Sequence, residues 1–181
     1  LLLMFSFVPV CPVPALVGDT AQPRGELGKK ALAVVAAHVK DNDADVRAQA
    51  ALILGAAGNK AAEGILTQML QDRDKYVRIA AARSLWELGI ASGLKTIYAI
   101  AGKIPVAANS ENPVLAELKI ISQNKIREKA LETLAFMRGQ KATDLLLKMK
   151  NDDFGSIRDT AARELARLGR EDEFLRFVEA L

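Results

Sequence analysis

Four arginines recur, each behind a β-branched residue: Val46-Arg47, Val77-Arg78, Ile126-Arg127 and Ile157-Arg158. A regular column of guanidinium groups is suited to bidentate capture of carboxylate or phosphate oxygens. Three aspartates, Asp41, Asp72 and Asp152, stand five places before the β-branched residue and repeat with it. Beyond this ladder the reactive inventory is thin. His38 is the one histidine and Cys11 the one cysteine of the chain, so there is no disulfide framework and no thiolate metal site. No His, Cys and carboxylate cluster has metal-ligand spacing. Neither a G-x-S-x-G elbow nor a phosphate-binding glycine loop is present. The residues therefore nominate no catalytic centre, metal or cofactor.

The elements that must position the ladder follow from its spacing. The β-branched positions lie 31, 49 and 31 residues apart, and periods of about 20 to 50 mark solenoids or arrays. Four places on is always alanine (Ala50, Ala81, Ala130, Ala161) and eight on always leucine (Leu54, Leu85, Leu134, Leu165). Positions 0, 4, 8 and 11 fall on one helical face, so each copy carries an apolar stripe to be buried. Alanine in that stripe lets two helices approach closely. Glycine ends the pattern at Gly58, Gly89 and Gly169, and one place late at Gly139, as expected of a helix stop. Asp41, Asp72 and Asp152 suit the turn before the helix and its N-cap. Upstream pairs, Val34/Val35, Ile65/Leu66, Val114/Leu115 and Leu145/Leu146, form the stripe of a preceding helix, and in the third copy Leu94–Lys103 also reads as the first helix, since Ile97 stands eight past Gly89 as Leu66 stands eight past Gly58. Each copy reads as helix, acidic turn, helix, glycine. His38 falls on the inner face of the first such helix, where a packed or half-exposed histidine is expected.

The pattern is clearest in Asp72–Gly89, DRDKYVRIAAARSLWELG, and there the chain resembles the HEAT repeats, in particular the short HEAT-like class first named from phycobilisome lyases. The resemblance covers roughly residues 29 to 169. It implies an all-α fold, an α-α superhelix or right-handed α-solenoid of about four HEAT-like helical hairpins. It also implies that the ladder arginines pair with turn aspartates of their own or a neighbouring unit, with Asp43, Asp45, Asp74 and Asp153 at hand. On that reading Arg47, Arg78, Arg127, Arg158, Asp41, Asp72 and Asp152 are a structural ladder. The third copy departs from the family pattern: Ile121 stands where the turn aspartate should be, and about eighteen extra residues precede Ile126. The iron-binding His-Glu pairs of the HEAT-like deoxyhypusine hydroxylases are missing.

Composition agrees with a helical array. Half the residues are hydrophobic but only 5% aromatic, and 25 basic against 22 acidic residues leave a net charge of +3. This falls short of a nucleic-acid-binding bias. The expected organisation is a truncated signal peptide over residues 1–21, a linker over 22–28, and the repeat domain over 29–181. Its units span about 29–58, 59–90, 91–139 with an insertion near 104–122, and 140–169, followed by a closing helix at 172–180. The apolar run Leu1–Val8, followed by Pro9, Pro12 and Pro14, is too short and too broken to span a membrane. As a signal sequence it implies export; otherwise the protein is cytoplasmic.

The positions opposite the buried stripe of each second helix bear on function. The family places these helices on the concave side of the solenoid. Leu52, Ile79 and Trp86 are apolar there, with Arg83 beside them. Trp and Arg are enriched at interface hot spots. Two expectations follow for this patch: a surface that receives a protein partner, or a core covered by the insertion. Glu128, Glu132 and Asp159 on the same face oppose phosphate, which argues against nucleic acid. The resemblance also offers a bilin lyase or chaperone-like role, or a structural piece of a longer array. The residues name neither the partner nor an oligomeric state.

Overall fold

A computed structural model describes residues 30, 32–106, 112–170, 175, 178 and 179. The signal-peptide and linker assignments, Cys11, and most of the closing helix lie outside these residues. The elements are α1 (residues 32–37), continued by one 3-10 turn at His38–Lys40, then α2 (Ala44–Ala56), α3 (Glu63–Met69), α4 (Lys75–Glu87), α5 (Leu94–Ala101), α6 (Pro113–Met137), α7 (Gln140–Met149) and α8 (Gly155–Arg167). No strand occurs among the described residues.

The helices pair as α1/α2, α3/α4, α5/α6 and α7/α8, and the second helices α2, α4, α6 and α8 pack in succession. This is an all-α HEAT-like solenoid. Its core is one continuous cluster in which Leu66, Val77, Leu85, Ile97, Leu134, Leu146, Ile157 and Leu165 are fully buried. The repeated alanines and leucines sit in it as their spacing requires. The helices can close up because of small residues. A Cβ on Gly55 of α2 would stand 2.5 Å from the Ser84 Cβ of α4, and one on Gly93 would stand 2.6 Å from the Ala82 Cα.

The caps differ from expectation by two residues. Asp43 and Asp74 cap the second helices, accepting from the N–H of Asp45 (2.8 Å) and of Tyr76 (2.7 Å). Asp41, Asp72 and Asp152 instead shape the turn just before, accepting from the N–H two residues on at 2.9, 2.8 and 3.2 Å. The turn bends sharply enough that the second aspartate, not the first, faces the free N–H groups of the helix.

The insertion resolves into a short connection and a long helix. Residues 104–106 and 112 are non-helical, and α6 then runs 25 residues without a break. Asn112 caps it, accepting from the Val114 N–H at 3.0 Å, and Pro113 occupies its first turn, where a missing N–H costs nothing. Val114 and Leu115 therefore do not form the first helix of unit three. They stand 63% and 51% exposed, and α5 supplies the stripe through Ile97, Ile100 and Ala101. The late glycine also has a counterpart: Arg138 ends α6 at φ 54° and Gly139 follows at φ 112°, whereas Gly58, Gly89 and Gly169 take the positive φ themselves.

Candidate partner-binding groove

The arginine ladder is built on turn aspartates of the neighbouring unit, through Asp72 and Asp152 and not through Asp43, Asp45, Asp74 or Asp153. Arg47 of α2 donates from Nε and Nη2 to both carboxylate oxygens of Asp72, in the turn of the next hairpin, at 2.8 and 2.9 Å. Its Nη1 reaches the carbonyls of Asp41 and Asn42 in its own turn. Arg127 of α6 repeats this, donating to Asp152 of unit four, to Asn124 and to the Ala101 carbonyl. Arg158 bonds the carbonyls of Asp152 and Asp153. Asp43 and Asp74 are occupied as caps. The hydrogen bonds from Arg47 hold the Asp72 carboxyl below the usual aspartate range and raise the Arg47 guanidinium. For Asp152, burial opposes ionisation most strongly, yet Arg127 and the Phe154 N–H together hold its carboxyl low. Three of the four arginines thus fasten structure. Arg78 differs, with its Nε buried and unbonded.

The patch expected to receive a partner is redistributed. Ile79 is only 3% exposed and belongs to the core, which corrects its assignment as a surface residue. α4 is flanked on both sides by second helices, α2 and α6, and backed by the first helices, so far more than one stripe of it is buried: Val77, Ile79, Ala80, Ala81, Ala82, Ser84 and Leu85. Leu52 and Trp86 are partly buried and packed against the core. Arg83 is likewise of intermediate exposure, its side chain 39% open. His38 is half-exposed, the more open of the two expectations, in the turn that ends its short helix, and its Nδ1 stands 3.5 Å from Asp41.

Arg83 opens into a groove of about 530 Å³ formed by α4, α6 and α8. Its guanidinium carbon stands 4.2 Å from the centre of the Phe136 ring, a cation–π arrangement, and its Nε contacts Glu87 at 3.2 Å. Across the groove Glu132 pairs with Lys129 at 3.0 Å and lies 3.9 Å from Arg163. Glu164, nearly inaccessible, accepts from Arg167 at 2.8 Å. The groove therefore offers one exposed aromatic face, a stacked guanidinium and alternating charges. Phe136 was missed from sequence because it sits ten places after Ile126, beyond the positions opposite the stripe. Only the stacking of unit three on unit two brings it under Arg83.

Among the described residues no group of His, Cys, Asp and Glu could hold a metal, and no helix is long and apolar enough to cross a membrane. Residues 31–103 match the family model for HEAT repeats, which spans the first two hairpins and α5. No curated protein matches the chain.

Proposed function

Residues 31–103 carry HEAT repeats, and from that premise we propose that the chain is a non-enzymatic scaffold of the HEAT-repeat kind that binds a protein partner along its second-helix layer. HEAT repeats are generally protein-interaction scaffolds. Each hairpin contacts only its neighbours, so the array forms an extended, rigid surface. The observation that carries the reading is the exposed Arg83–Phe136 stack in a preformed groove. An aromatic ring and a guanidinium held in place lose little freedom on binding. The alternating charges of Glu132, Arg163 and Arg167 suit a polypeptide of mixed charge better than a uniform polyanion.

The test is a crosslinking pull-down comparing the chain with its Arg83→Glu/Phe136→Ala variant, with Trp86→Ala made separately. Loss of a captured protein in the double variant, with an unchanged far-UV circular dichroism spectrum, supports the groove. Undiminished capture by both variants removes it.

A further inference from the structure

The ladder is vacant at Arg78. Arg47 and Arg127 each hold the turn aspartate of the following hairpin, Asp72 and Asp152. The corresponding place for Arg78 falls on Ile121, which has been carried up α6 and stands 44% exposed. Arg78 side-chain nitrogens make no hydrogen bond among the described residues, and its Nε is buried. Instead of a carboxylate, Arg78 meets a cavity of about 400 Å³ between α3, α4, α5 and α6.

The cavity wall is cationic. Lys75, Lys95 and Lys103 line it with Arg78, and no aspartate or glutamate is among its described lining residues. The nearby Asp74 carboxylate is engaged by the N–H groups of Tyr76 and Val77. Burial, with repulsion from Lys103 and Arg78, keeps the Lys75 ammonium below the usual lysine range, although Asp74 acts the other way. Arg127 also lines the wall but is already held by Asp152; Arg78, with its buried Nε, and the partly buried Lys75 have no carboxylate in the wall to offset their mutual repulsion, which an anion would do. Thr96 adds a hydroxyl to the wall. The volume exceeds what a single carboxylate needs.

We propose that this cavity binds a polyvalent oxyanion, a phosphate-class or polycarboxylate ligand, with one anionic group on the Arg78 guanidinium in the place that aspartate holds in the other hairpins. The site is separate from the groove at Arg83 and does not rest on the scaffold reading. A fork of N–H donors favours planar two-point contact with an oxyanion, and the lysines add charge without directional demand. Occupancy would tie α4 to the hairpin that follows it, where the arginine–aspartate ladder lacks its own clasp.

The full chain is titrated at low ionic strength by calorimetry with inorganic pyrophosphate and, separately, citrate. Saturable one-to-one binding is expected, tighter for the phosphate-class or the carboxylate probe according to the ligand's nature, and weakening with added salt. Arg78→Met and Lys95→Met/Lys103→Met should each lower affinity by roughly tenfold or more, while Lys129→Met, on the other groove, leaves it unchanged. Lys95 and Lys103 are exposed, so that double variant reports on the site even if Arg78→Met does not fold. Absence of saturable binding to either probe overturns the proposal. So does binding that survives the Lys95→Met/Lys103→Met double variant, because it would then be diffuse surface association.

Discussion

Asp152→Ala isolates the energetic role of the ladder. Arg127 is 3% exposed and Asp152 11% exposed, and two of the arginine's nitrogens end on that carboxylate. Removing the carboxylate leaves a buried guanidinium with the Ala101 carbonyl, the Asn124 amide oxygen and, weakly, the Met149 sulfur as acceptors. Breaking one partner of a buried pair costs about 3–5 kcal/mol, and these surviving neutral acceptors place this case near the lower end, about 3 kcal/mol. For a chain of this length that corresponds to a fall in Tm of about 6–12 °C. Replacing both partners, as Arg127→Met/Asp152→Leu, should recover most of the loss, because neither charge is then left alone. The assay is urea and thermal unfolding followed by circular dichroism from about pH 3 to pH 7. Because the folded Asp152 carboxyl is held below the unfolded value of about 3.9, its contribution is complete above that value and is lost as pH falls through the folded pKa. The gap between wild type and Asp152→Ala should therefore be widest at neutral pH and narrow in acid. A penalty under about 1 kcal/mol at pH 7, or one that persists undiminished in acid, would refute the pairing as a source of stability.

Two further changes probe the backbone and the helix crossings. Gly55→Ala should destabilise by about 1–3 kcal/mol in thermal melts, since its new Cβ would fall 2.5 Å from the Ser84 Cβ in a contact between helix backbones. Arg138→Gly should raise stability by up to about 1 kcal/mol in the same melts, by relieving a non-glycine φ of 54° at the end of α6, and no gain would mean that the turn is unstrained.

The period of Val46, Val77, Ile126 and Ile157 and the glycines that close three of the copies sufficed to specify helical hairpins stacked in order. Those signals are local: a helical stripe and a stop depend on residues within a few turns of one another. Ala50, Ala81, Ala130 and Ala161 are buried to 3% or less, as their place in the stripe demands. Pro113 at a first turn is a local start signal for α6, but nothing local decides that the helix runs unbroken past Gln123 and Asn124. What escaped sequence reasoning depends on how one hairpin lies on the next. Ile79 is a surface position on an isolated helix and a core position once α4 is enclosed by its neighbours. Phe136 comes over Arg83 through a stacking of units that no spacing within one repeat encodes. The clasp of Arg47 joins residues 25 apart in sequence, and its choice of Asp72 over Asp43 is made by the turn geometry of the following hairpin. The vacancy at Arg78 has the same origin. Ile121 was visible as a departure from the repeat, but only tertiary packing decided that the missing carboxylate leaves a cationic cavity and not a collapsed contact. Helical periodicity is written along the chain, whereas burial and charge pairing across hairpins belong to the assembled stack.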